Sequence, residues 1–219
     1  MNVWKHSVSS QLKFGGTPED YQPIHSFLDS SKLYFYHLKH RALLHNLYGI
    51  ELCEELFGSW ITNSSGTRVP VRDIAAQHCR EDLSGRVPTL NDWFTTSEAH
   101  FSSRIIVPEI EHHELREFVL RPWLRSGLRS SLMITCSNFG VSLVQRCLGL
   151  THALELAGLL TPLPSVDTFL AEFKFVERWQ YTPDRQSIER INDREEKREE
   201  QPLENDTFEP SVVRPQGHV

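Results

Sequence analysis

Six side chains in the first half of the chain could do chemistry together: His25, Asp29, His40, His45, His78 and Asp82, with Glu81 beside the last. Imidazole nitrogens and carboxylate oxygens are donors that suit Zn, Fe or Mn, and helical proteins assemble such sites from side chains on facing helices. A divalent ion held there would activate a bound water, with Glu81 as general base, which is the chemistry of a metal-dependent hydrolase. The same residues also have a plainer use. Buried histidines donating to Asp29, to Asp82 or to backbone carbonyls make a structural network that needs no ion. One spacing counts against chelation. His40 and His45, five apart on a continuous helix, point about 140° away from each other.

The elements that must position these groups follow from periodicity and punctuation. Val3–Phe14 reads as a helix stopped by Gly15-Gly16, and Thr17-Pro18-Glu19-Asp20 as the start of the next, with Ile24, His25 and Leu28 turned inward. Leu33–Phe57 contains no proline and reads as one long helix ending at Gly58. On it Tyr36, His40, Leu43, Leu44, Leu47 and Ile50 form one apolar stripe, and Leu38, His45, Tyr48, Leu52 and Leu56 a second. His37 falls between the stripes, while Arg41, Asn46, Glu51, Glu54 and Glu55 take the wet side. Residues 59–71 predict a small β-hairpin around an Asn/Ser/Gly turn. A helix from Pro70 to Leu83 places Val71, Ile74, Ala75, His78 and Asp82 on one stripe, and Thr89–Asp92 resembles a capping box.

Composition shifts near residue 100. Pro108–Leu120 reads as a charged helix ended by Pro122, and its Glu109-x-x-His112 is a single copy of a spacing that di-iron bundles use twice, so a solvated face is its ordinary reading. Leu128–Gly149 and Thr151–Leu160 predict two buried helices, and Ser165 opens a last one with Val166, Phe169, Leu170, Phe173, Val176 and Trp179 at helical spacing. From 183 onward the chain is polar and cannot by itself bury enough surface to offset its ordering entropy. The expected fold class is therefore mainly α: an irregular helical domain with one small hairpin (1–99), a C-terminal helical region (100–182), and a polar tail (183–219) that orders only on a partner.

Composition excludes several function classes. A 219-residue chain that is 39% hydrophobic can bury a core, and a formal net charge of −6 gives nucleic acid no basic field. Cys53, Cys79, Cys136 and Cys147 show no C-x-x-C spacing, and the N-terminus has no secretory pattern, so an intracellular, reducing compartment is expected. No apolar run matches a bilayer. Phosphate-binding glycine loops, H-E-x-x-H, G-x-S-x-G and the His-Asp dipeptide of metal phosphohydrolases are all absent. Cys79 adjoins His78, but helical neighbours diverge by about 100°, which does not make a nucleophile pair.

Residues 13–94 carry a resemblance. Lys13-Phe-Gly-Gly-Thr-Pro-Glu-Asp-Tyr21, Asp29-Ser-Ser-Lys32, His40-Arg-Ala-Leu-Leu-His45-Asn46, Val69-Pro-Val-Arg72, Gln77-His78 and Glu81-Asp-Leu83 look like a family of small, uncharacterised bacterial and phage proteins. The resemblance implies histidines at the positions of His25, His40, His45 and His78, and implies no activity. The expected function is a non-enzymatic structural or interaction subunit of a larger assembly, contacting other protein subunits through 100–219, with a buried His/Asp cluster in its N-terminal domain. The alternative is a metal-binding helical protein, a hydrolase in its catalytic form.

Overall fold

Several helix starts are written into a side chain that caps them. In the computed structural model, which describes residues 2–35 and 38–175, Asn2 accepts from Lys5 N and opens α1 (Val3–Phe14). Thr17 and Asp20 form a capping box over a short 3-10 turn that leads into α2 (Gln22–Leu28). Asp29–Leu33 and Leu38–His40 are 3-10 stretches, followed by α3 (Arg41–Leu44) and α4 (Leu47–Phe57). The hairpin is present as β1 (Trp60–Thr62) and β2 (Arg68–Pro70), antiparallel with Ile61 opposite Val69. Then come α5 (Val71–Asp82), α6 (Leu90–Phe94) behind a Thr89/Asp92 capping box, and α7 (Glu98–Phe101). The second half contains α8 (His113–Ser126), α9 (Asn138–Cys147), α10 (Leu150–Leu159) and α11 (Val166–Glu172). The protein is mainly helical with one small hairpin, as its periodicity predicts.

The long helix expected over Leu33–Phe57 is broken, and the break shapes the site. His45 leaves helical geometry at ψ 63°, and Asn46 turns extended at φ −158° and caps α4 by accepting from Gly49 N at 3.0 Å. The turn is so tight that a Cβ on Gly49 would lie 1.9 Å from the Leu44 carbonyl oxygen. Only glycine fits there. His40 and His45 therefore flank the single turn of α3, and the continuous helix expected to carry both ends at His45. Asn46, expected to be wet, is fully buried by its capping role, and Arg41 is drawn inward to Asp82. Leu128–Gly149 is interrupted in the same way, by a 3-10 stretch at Arg129–Ile134 and a cap at Ser137. The charged helix begins at His113, not Pro108, and continues through Pro122 to Gly127, whose left-handed φ of 72° lets its N–H reach Trp123 O.

α2, α4 and α5 pack on one another, with α1 laid against α2 and α5. The apolar core runs from Ile24, Leu28 and Leu44 through Trp93 and Phe94 to Phe118, Phe139 and Phe173. Val166, Phe169, Leu170 and Phe173 are buried as their stripe predicts, whereas Tyr36, His37, Val176, Trp179 and the polar tail lie outside the described residues. No helix among the described residues is long and apolar enough to cross a membrane.

Candidate metal centre

Two helices and one turn converge on a buried polar knot. α2 ends at Asp29, the α3–α4 turn presents His45, and α5 presents His78 and Asp82 one helical turn apart on one face. One ligand atom from each of these four residues lies within 4.8 Å of all the others. His78 Nε2 is 3.0 Å from His45 Nε2 and 3.4 Å from Asp29 Oδ1. His45 Nε2 is 3.5 Å from Asp29 Oδ1 and 3.3 Å from Asp82 Oδ2. The side chains of all four are withdrawn from solvent, at 4% exposure or less.

The remaining expected residues stand around this core. His25 lies behind His78, with the two Nδ1 atoms 3.0 Å apart and His25 Nε2 2.9 Å from Ser10 Oγ. His40 meets His45 edge-on, with ring centroids 5.4 Å apart, and is not one of the four converging residues. Glu81 is engaged elsewhere: its oxygens meet His6 Nδ1 at 2.6 Å, Gln77 Nε2 at 2.8 Å and the Ser9 hydroxyl.

Sequence reasoning missed His6 and Arg41. His6 is fully buried on α1, stacks on the His78 ring at 3.9 Å between centroids, and brings Nε2 to 3.4 Å from Asp82 Oδ1. His6, Ser7 and Ser10 form the buried face of α1, a polar face that apolar periodicity does not mark. Arg41 reaches Asp82 twice, from Nη2 to Oδ2 at 3.1 Å and from Nη1 to the backbone oxygen at 3.0 Å.

Charge is balanced in opposite directions on the two sides of the knot. Burial works to raise the Asp29 carboxyl, but hydrogen bonds from His45, His78 and Lys32 outweigh it and hold the group well below the carboxylate range. Asp82 is held down likewise, against its own burial, by His45, His6 and the Arg41 charge. Burial pushes the His78 imidazole far down and the His25 imidazole down to about 4, so both rings are neutral at pH 7. His6 goes the other way: burial lowers it, yet its bonds to Asp82 and Glu81 prevail and raise it.

Part of the arrangement has the spacing of ligands around one divalent ion. Tetrahedral bonds of about 2.0–2.1 Å put neighbouring ligand atoms roughly 3.3–3.4 Å apart. Four of the six separations, 3.0 to 3.5 Å, bracket that value, and all six lie within 4.8 Å. Asp29 shows how a carboxylate can be set for such a role: Oδ2 accepts from Lys32 Nζ at 2.7 Å, while buried Oδ1 is turned to the Nε2 atoms of His45 and His78. A neutral His78 donating from Nδ1 to His25 would present a lone pair on Nε2 to the centre.

Residues 1–103 match a family model described as "Domain of unknown function (DUF6915)". The match takes in every residue of the knot, from His6 to Asp82. No curated protein and no solved structure matches the chain.

Proposed function

We propose that the protein is a metal-binding helical protein whose N-terminal half holds one divalent transition ion, Zn, Fe or Mn, through Asp29, His45, His78 and Asp82. The observation that carries this is the convergence of a two-nitrogen, two-oxygen donor set without thiolate, four of whose six separations match ligands around one tetrahedral ion. His25 orients His78, Lys32 and Arg41 fix the carboxylates, and His6 covers the His78 ring. Such an ion would supply Lewis acidity. Four buried protein donors favour a closed, structural centre over one with an open position for water. A hydrolytic role for Glu81 as general base would require it to leave His6, Ser9 and Gln77.

Elemental analysis of the purified full chain tests this. About one equivalent of a transition metal is expected in the native protein, with a fall to near zero in His78→Ala. Less than ~0.2 equivalents after reconstitution, together with melting unchanged by chelator, would sink the reading.

A second reading, a non-enzymatic subunit that contacts other proteins through its C-terminal region, draws on α10. Leu150 and Leu154 lie one turn apart there and are 58% and 65% exposed. Replacing both with Asp is expected to abolish any self- or partner association seen by light scattering. A wild-type chain that is monodisperse and monomeric at all concentrations, and gains no partner, would remove this reading.

A further inference from the structure

The two halves of the chain repeat one another. The turn that makes the site occurs twice, at one constant spacing: Asn46 and Ser137 are caps, Gly49 and Gly140 follow three residues later, and Gly58 and Gly149 close the helices. The caps share geometry, φ −158° and ψ 175° against φ −153° and ψ 175°, and each accepts from the N–H of its glycine. A Cβ on Gly140 would lie 2.0 Å from the Thr135 carbonyl oxygen, as one on Gly49 would from Leu44. Leu47 N donates to Pro88 O at 2.9 Å, and Asn138 N donates to Pro164 O at 2.9 Å. Each of those prolines precedes a Thr or Ser and a short helix, α6 or α11.

The same spacing runs without a gap from α2 to α8 and from α4 to α9. Buried Ile24, Phe27 and Leu28 correspond to buried Leu115, Phe118 and Val119, and exposed Leu33 (84%) to exposed Leu124 (73%). The second half lacks the β1–β2 hairpin, so Gly149 leads directly into α10. It also lacks the donors. Leu120 stands in the place of Asp29, Leu132 in that of Arg41 and Cys136 in that of His45.

Contacts between the halves are reciprocal. Arg125 pairs with Glu51 at 3.1 Å, and at the corresponding positions Tyr34 hydrogen-bonds Ser142. Lys39 Nζ donates to Ala171 O, and its counterpart Ser130 Oγ donates to Phe94 O, one residue from the matching position. Ser97 bonds both the N–H and the carbonyl of Lys174, which is next to its own counterpart. A residue touching its own equivalent is the signature of a two-fold axis.

We infer that residues 113–174 are a second copy of residues 22–98 that has lost the His/Asp constellation and is docked on the first across an approximate two-fold axis. The partner that this face of the N-terminal domain takes is therefore a copy of the same domain, here supplied within one chain, and the division near residue 100 separates the copies. The inference does not depend on metal binding.

Two measurements test it. A chain in which 113–174 is replaced by a second 22–98 is expected to fold as a soluble monomer, and, if the metal reading also holds, to take up twice the metal. An aggregated or unfolded replacement chain overturns interchangeability of the copies. On the full-length natural chain, spin labels at Leu33/Gln145 and at Glu54/Leu124 occupy corresponding positions, and a two-fold axis requires the same label-to-label distance for both pairs. Overlapping distance distributions support the axis, and clearly separated ones overturn it. A folded replacement monomer without metal would fail the metal reading alone.

Discussion

His25 and His78 face each other through their Nδ1 atoms at 3.0 Å, both rings neutral and both buried. Only one of the two nitrogens can carry the proton, so the contact couples the tautomer of His78 to that of His25, and with it the state of the Nε2 that points at His45 and Asp29. Replacing His25 by Ala removes this constraint without removing a converging donor. Metal affinity is expected to fall about 10–100-fold, the usual cost of losing a group that orients a ligand, whereas His78→Ala should abolish binding. Competition titration against a chromogenic chelator separates the two outcomes, and equal losses in both variants would contradict the assigned roles.

Stability should peak near neutral pH. The folded His25 imidazole lies at about 4, below its unfolded value of 6.5, so between those values the unfolded chain binds the extra proton and stability falls as pH drops. Over that window His25 alone accounts for on the order of 3 kcal/mol. His6 has the opposite sign. Its folded value is raised, so its contribution is complete below 6.5 and is lost as pH rises through the folded value. Urea midpoints measured in chelator from pH 4.5 to 9 should trace a maximum, and His25→Asn should flatten the acid side only.

Arg41 neutralises a buried carboxylate, and its loss should be costly. Arg41→Met leaves Asp82 without the guanidinium at 3.1 Å, a cost of about 3 kcal/mol, or roughly 6–12 °C in a chain of this size. A bound divalent ion would return positive charge to Asp82. The variant should therefore lose less in metal-saturated protein than in chelator, a difference that paired melting curves read directly.

Much of this was legible in the residues themselves. Val3–Phe14 is stopped by Gly15, Thr17 and Thr89 open their turns through capping boxes, and Val71–Asp82 shows a clean 3.6-residue stripe with His78 and Asp82 on its inner face. The break at His45-Asn46 was not legible from periodicity, because the apolar residues on either side continue a helical pattern that the backbone does not follow. Its trace is local, an Asn three residues before a Gly. His6 was hidden because α1 buries His, Ser and Ser in place of apolar residues, so the stripe that usually marks an inward face is missing. The repeat escaped for a related reason: it keeps glycines, caps and apolar positions while exchanging every donor that drew attention to the first half.

The tight turns offer the last prediction. Gly49 and Gly140 have ordinary negative φ, so alanine is not excluded by backbone conformation at either site; the obstacle is the carbonyl oxygen of Leu44 or Thr135, about 2 Å from the new carbon. Relief requires the helix to move away from the preceding turn, which breaks the cap hydrogen bond that the glycine N–H donates to Asn46 or Ser137 and the strut that Leu47 or Asn138 N–H donates to Pro88 or Pro164. Each Gly→Ala variant should lose upwards of about 3 kcal/mol, in the range that only severe overpacking reaches. The variants should differ in function. Displacement at Gly49 moves His45, so Gly49→Ala should lose metal in proportion to the unfolding of the turn, while Gly140→Ala moves Cys136 and should lose stability with metal stoichiometry intact in the protein that remains folded. Calorimetry paired with metal analysis checks both. Metal loss at Gly140→Ala equal to that at Gly49→Ala would show that the second copy's turn is coupled to the centre and not merely shaped like it.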